Sequence, residues 1–204
     1  MIILSHRGFW REPGEKNTLA AFRYSVAQGF GTETDFRDCA GQLVISHDPP
    51  TPDALGAREV AELFAGTSLP LAVNIKADGI SEMIAALFDE FDIPWFAFDM
   101  SGPESLRYAR AGLPFFTRHS DIEPEPLLYD QAAGVWLDAF EKEWFDADVI
   151  DTHLDAGKRV CIVSPDLHGR EPGPLWDMLY ELRGREELML CTDIPHLALE
   201  RFGS

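Results

Sequence analysis

No run of 18 apolar residues occurs in the 204-residue chain. Its first ten residues, MIILSHRGFW, lack the basic flank, long apolar core and small-residue cleavage site of an export signal. The chain therefore reads as a soluble, cytoplasmic protein with no membrane insertion. Cysteine is scarce: Cys39, Cys161 and Cys191 form an odd set without Cys-x-x-Cys spacing, which argues against a disulfide framework and a thiolate zinc site. Positive charge is scarce as well. Seventeen Lys and Arg stand against 35 Asp and Glu, a net charge of −18 that repels nucleic acid and anionic bilayers. A small phosphorylated ligand is still compatible with that field if a cation or local basic groups meet it.

What is present is an ordinary globular composition, 46% hydrophobic and 25% charged, too apolar for a disordered chain. At roughly 150 residues per domain the length favours a single domain over residues 1–204. Short runs rich in Ile, Val, Leu and Phe alternate with stretches of helical spacing. The predicted strands are 2–5, 32–37, 72–75, 95–98, 115–118, 135–138, 160–163 and 188–191. The predicted helices are 18–28, 57–65, 81–90, 103–111, 127–132, 146–156, 175–183 and 196–202. Strands apolar on both faces and separated by helices imply a covered parallel sheet, and eight such units imply a compact (β/α)8 TIM barrel. An open doubly wound sheet satisfies the same alternation, because strand order is not legible from one chain. After the second strand, a Gly-centred turn and the run Leu43–Ser46 predict a hairpin that returns His47 toward the strand end.

The polar residues fall in a pattern. Strand after strand stops at a chemically active group: His6 and Arg7, then Glu33, Asp35 and Arg37, then His47 and Asp48, then Asn74, Lys76 and Asp78. Asp99, Arg118 and His119, Asp138, the segment Ser164–Arg170 with Asp166 and His168, and Asp193 follow the remaining strands. In a barrel the carboxyl ends of the strands carry the site, so this placement predicts one. One Glu-x-Asp in an acidic chain is ordinarily a solvated edge, and one His is ordinarily structural; the concentration at strand ends is what argues for function. Glu33 and Asp35 share one strand face about 7 Å apart, and two carboxylates in a low-dielectric mouth repel each other unless a cation or protons sit between them, a divalent ion being the economical answer. An all-oxygen set suits Mg²⁺ or Ca²⁺ better than zinc.

The segments SHRG, NTLAAF on a helix, GFGTETDFRD, GQLVISHDPP and a strand ending NIK, in that order, resemble the glycerophosphodiester phosphodiesterase family. CTDIP near the end is similar to that family's closing strand. The resemblance is dense over residues 2–78 and thin through the middle. It implies a TIM barrel that hydrolyses a small phosphodiester with one divalent cation, Mg²⁺ or Ca²⁺. By position it implies His6 and His47 as the acid/base pair, Arg7 and Lys76 on the phosphate, and Glu33 and Asp35 on the metal. The third-strand position that is usually glutamate is Asn74 here, so Asn74 joins the metal set and Asp99 becomes the substitute carboxylate, with Asp78 and Asp48 behind it. Asp99 capping the helix that follows is the competing reading. The position before Asn17-Thr18, usually glutamate, is Lys16, and the insertion after the second strand is short, which implies an open mouth.

Arg118 and Arg170 are further phosphate-binding candidates, and Trp10 offers an aromatic surface to a ligand. Trp136 is more in keeping with the core. His119, His153 and His196 are expected to be structural. Three rivals share these residues: a lyase stopping at a cyclic phosphate, an aldolase-like barrel using Lys76 as nucleophile, and a module that binds a phosphorylated glycan or lipid headgroup without cutting it.

Overall fold

A computed structural model describes residues 1–203. In chain order its elements are β1 (Ile2–His6), α1 (Leu19–Gln28), β2 (Gly31–Cys39), β3 (Gln42–Ile45), β4 (Leu55–Gly56), α2 (Ala57–Phe64), β5 (Leu71–Ile75), α3 (Ser81–Phe91), β6 (Trp95–Phe98) and α4 (Gly102–Ala111). They continue as β7 (Phe116–His119), β8 (Gly134–Leu137), α5 (Ala147–Asp155), β9 (Arg159–Val163), α6 (Gly173–Leu182), β10 (Leu188–Thr192) and α7 (Pro195–Phe202). Strands β5, β8 and β10 are buried at every position, as strands covered on both faces must be.

Hydrogen-bonded neighbours run β6, β5, β2, β1, β10, β9, β8, β7, every pair parallel. The outer edges of β6 and β7 meet at one parallel bridge, Ala97 to Phe115, with the Ala97 N–H donating to Pro114 O at 3.0 Å. Side chains reinforce that thin seam: Phe96 stacks on Phe116 with ring centroids 3.7 Å apart, and Phe98 on Trp136 at 3.8 Å. These rings, with Leu4, Ala72, Cys161 and Met189, form one apolar cluster along one face of the strands. Two further clusters join the other face to the helices. Gly134 is required where β8 meets its neighbours, since a Cβ there would lie 2.5 Å from Arg159 O and from the Phe116 ring.

Local chemistry sets the helix ends. The Thr18 side chain caps α1 by accepting from Ala21 N, and Gly29 closes it in the left-handed region at φ 75°. Asp146 caps α5 in the same way. At α4 the cap is Ser101, which accepts from Glu104 N. The competing reading of Asp99 as that cap is thereby corrected: Asp99 sits at φ 63° just past β6 with its side chain turned to other partners.

The helix expected over 127–132 is a short 3-10 turn at Tyr129–Gln131 instead. Leu128 takes a left-handed φ of 54°, which interrupts a helix through that position, and Gly134 begins the next strand, so too few residues remain for a helix. Seven α-helices thus accompany the parallel strands among the described residues. The hairpin is present, with β3 antiparallel to β2, and a small further strand, β4, extends it.

Candidate active site

Polar residues from the carboxyl ends of several parallel strands border one cavity of about 210 Å³, lined by His6, Arg7, Glu33, Asn74, Asp99, Arg118, Trp136, Asp138, Phe140 and His168, among others. A recess of about 520 Å³ adjoins it through Asp99 and Arg118 and carries Glu123 and Glu125 on its wall.

His6 ends β1 in register with Glu33 of β2. Its Nδ1 lies 2.6 Å from Asp193 Oδ1, just beyond the end of β10, the strand on the other side of β1. A carboxylate only accepts, so Nδ1 carries the proton and Nε2 is left toward Glu33 Oε2, 3.8 Å away. Burial acts to raise the Asp193 pKa, but the hydrogen bond and charge of His6, joined by Lys16 Nζ at 3.1 Å, hold it below the ordinary carboxylate value. The turn after His6 is held close to α1. Arg7 adopts φ 58° and Gly8 φ 87°, and a Cβ on Gly8 would stand 2.7 Å from the Ala21 Cβ.

Two carboxylates on one face of β2 meet different fates. Asp35, fully buried, is ion-paired with Arg7 Nε at 3.0 Å and Lys76 Nζ at 3.4 Å and accepts a hydrogen bond from the Asn17 amide at 2.8 Å. Two side-chain cations, Arg7 and Lys76, already balance the Asp35 charge. Glu33, buried as well, has no such pair of cations on its carboxylate among the described residues. Its pKa is pushed up to about 7, first by burial and then by the Asp35 charge, with His6, Arg7 and Lys76 opposing.

Three buried oxygens here make no hydrogen bond: Glu33 Oε2, Asp35 Oδ1 and Asn74 Oδ1. Asp35 and Asn74 are register partners across β2 and β5. Among the described residues no trio of His, Cys, Asp or Glu gathers as a metal-binding group, so any oxygen set depends on the Asn74 amide. Two carboxylate oxygens and an amide oxygen, hard and without hydrogen bonds, do fit a hard divalent cation, with Lys76 Nζ 3.4 Å from Asp35 Oδ1 as the cation already there. The other carboxylates considered from sequence are engaged elsewhere. Asp99 accepts from Asn74 Nδ2 at 3.2 Å and pairs with Arg118. Asp78 accepts from Ser101 Oγ, and Asp48 pairs with His47.

His47 stands apart from this group. Its side chain is 46% exposed, its Nδ1 is 3.0 Å from Asp48, and it does not line the 210 Å³ cavity, although its backbone O accepts from Arg37. Arg118 does line the cavity, but Asp99, Asp138 and Glu123 share its guanidinium. Arg170 turns to Ala139 O and borders a small side cavity of about 90 Å³ beneath α6. Trp10 donates from Nε1 to His6 O at 3.1 Å and lies under the Lys16 ammonium, 4.5 Å from its ring centroid. Trp136 is buried against Phe98.

Five members of the constellation had no assigned role from sequence: Asp193, Lys16, Asn17, Asp138 and His168. Asp138 and Asp193 carried the strand-end signal. Lys16 and Asn17 had only their place beside the cap Thr18, a position that says nothing of where the side chains reach.

Across its whole length the chain shares its fold with a glycerophosphodiester phosphodiesterase from Agrobacterium tumefaciens str. C58, at TM-score 0.66 and 18% identity, with 100% of both chains covered. No family model matches the sequence, and no curated protein matches it.

Proposed function

We propose that the chain is a metal-dependent phosphodiester hydrolase of the glycerophosphodiester type, built on a (β/α)8 barrel closed at the Ala97–Phe115 bridge. The observation that carries this reading is His6, oriented by Asp193 and set beside Glu33 and Arg7 at the strand ends. The full-length likeness of fold to a phosphodiesterase supports it.

A phosphodiester must have its nonbridging oxygens neutralised, its nucleophile deprotonated and its leaving oxygen protonated. Arg7 reaches Asp35 through Nε, and its two Nη groups make no hydrogen bond among the described residues, which leaves that edge of the fork for a phosphate oxygen. Asp35 and Asn17 hold Arg7 and Lys76 in place, so both cations meet the ligand preorganised. His6 Nε2 is the nitrogen free to take a proton from the nucleophile, while Asp193 and Lys16 fix the ring. A second imidazole at the mouth protonates the departing alcohol. Glu33, Asp35 and Asn74 would hold the divalent cation, Mg²⁺ or Ca²⁺, which when bound supplies positive charge to the phosphate oxygens. The 520 Å³ recess gives an alcohol moiety room beside the cavity.

The test is turnover of a glycerophosphodiester followed by phosphorus NMR, with and without Mg²⁺ or Ca²⁺. The expected product is a phosphomonoester, and His6→Ala is expected to lose about 10²–10⁴ in kcat with its fold intact by circular dichroism. A cyclic phosphate as the final product would make the chain a lyase; full activity in His6→Ala would remove the acid/base assignment.

A further inference from the structure

We infer that His168, held by Asp138, is the second proton-transfer group of this site, the one that protonates the leaving alcohol. This rests on the phosphodiesterase reading above. His168 closes a 3-10 turn, Pro165–His168, that follows β9, and the sequence alone gave that segment no role. Its Nε2 lies 2.7 Å from Asp138 Oδ1. Its Nδ1 makes no hydrogen bond among the described residues, and the ring lines the same cavity as His6. The site therefore contains two imidazole–carboxylate pairs, His6 with Asp193 and His168 with Asp138.

Asp138 is built for holding. It is 3% exposed, and His168, Arg118 Nη1 at 2.6 Å and its neighbour's backbone, Ala139 N at 2.8 Å, all donate to it. Phe140 packs near both partners, its ring centroid 5.4 Å from that of His168 and 4.9 Å from the Arg118 guanidinium carbon. The turn itself is tied to the other pair. Asp166 Oδ2 accepts from Thr192 Oγ1 at 2.9 Å and from Asp193 N at 2.8 Å, so one carboxylate anchors both His168's turn and the residue that orients His6. In pairing order β8 lies four strands from β2 in either direction, which sets Asp138 across the ring from Glu33 and Asp35. In-line displacement needs its proton acceptor and donor on different sides of phosphorus; His6 ends β1, and Asp138, the partner of His168, follows β8, three strands away along the sheet. His47 is exposed and outside the cavity.

In the step, the oxygen of water or of a substrate hydroxyl forms a new bond to phosphorus and gives its proton to His6 Nε2. The bond from phosphorus to the alcohol oxygen breaks, its electron pair stays on that oxygen, and the oxygen takes the proton from His168 Nδ1. Asp138, accepting from Nε2–H, supports the imidazolium before transfer. His6 ends protonated and His168 neutral; exchange with solvent resets both.

Loss of a leaving-group acid matters when the leaving group is a poor one. The experiment compares wild type, His168→Ala, His168→Asn and His47→Ala on a glycerophosphodiester with an alkyl leaving alcohol and on bis(p-nitrophenyl) phosphate, whose p-nitrophenolate departs unprotonated. Both His168 variants are expected to lose about 10²–10⁴ in kcat on the alkyl ester and less than about tenfold on the aryl ester. Equal losses on both esters would make His168 a structural residue, and no loss would remove it from the reaction; either overturns the inference. The selective signature on His47→Ala instead assigns the role to His47 and also overturns it. A wild type that cleaves neither ester removes the phosphodiesterase reading itself, and this inference with it.

Discussion

Asp193 sits at the end of β10 with one carboxylate oxygen 2.6 Å from His6 Nδ1 and the other 3.1 Å from Lys16 Nζ. The pair joins the first strand of the chain to the last, and its geometry selects which nitrogen of His6 is free. Asp193→Asn removes the acceptor charge and allows the ring to turn. We expect kcat on a phosphodiester to fall about 10–100-fold while the thermal midpoint moves little, a pattern checked by steady-state kinetics beside calorimetry. An unchanged kcat would show that His6 needs no such support.

Glu33 predicts a trade of stability against function. Its folded pKa, about 7, lies above the ordinary value of 4.5, so the fold holds its proton more tightly than the unfolded chain does. The stability this contributes is complete below pH 4.5 and is lost as pH rises through 7. Glu33→Gln cannot ionise, so in chelator-treated buffer it should match wild type near pH 4.5 and exceed it by roughly 2–3 kcal/mol at pH 8, with activity lost. Urea denaturation at both pH values measures the difference, and a difference that shrinks as pH rises contradicts the reading.

A divalent cation should relieve the same strain. At a concentration about 100 times its Kd, Mg²⁺ or Ca²⁺ should add about 2.7 kcal/mol to wild type, a rise of roughly 5–10 °C in Tm for a chain of this size. Asn74→Ala deletes the unpartnered amide oxygen and should lose most of that rise. Differential scanning calorimetry with and without each ion decides it; a rise that survives the substitution removes Asn74 from the ligand set.

His153 supplies a second pH dependence, away from the cavity. Its ring receives or donates a hydrogen bond at both nitrogens, with His119 at 2.9 Å and the Tyr129 hydroxyl at 2.8 Å. Burial first, and His119 second, lower its pKa from 6.5 to about 4. The folded state thus resists protonation, so its stability contribution is present above pH 6.5 and is lost as pH falls toward 4. Wild type should lose roughly 2 kcal/mol between pH 7.5 and 5 from this group, and His153→Gln should lack that component of the slope. Chemical denaturation across that range tests it.

Particular residues show where sequence reading stops. Cap and strand chemistry are local, so Thr18, Ser101 and Asp146 mark helix starts and the apolar runs mark the parallel strands. The helix expected at 127–132 failed because a left-handed Leu128 and the nearby start of β8 outweighed its apolar spacing. The census of strand-end groups found His6, Arg7, Glu33, Asp35 and Asn74, all of which the fold gathers at one end. It gave no way to see that Arg118 is divided among three carboxylates, or that Arg170 turns to a carbonyl outside the cavity.

The amino-acid order alone determined the alternation of strands and helices, because side-chain period and capping act within a few residues of one another. It also determined that the chemically active groups follow the strands, since that is a matter of position along the chain. Only the tertiary structure decided which of those groups meet. Asp193 reaches His6 across 187 positions, and His168 reaches Asp138 across 30, because pairing of distant strands brings their ends to one rim. Partnership of that kind depends on side-chain direction and on the register between strands, and neither is encoded in local spacing.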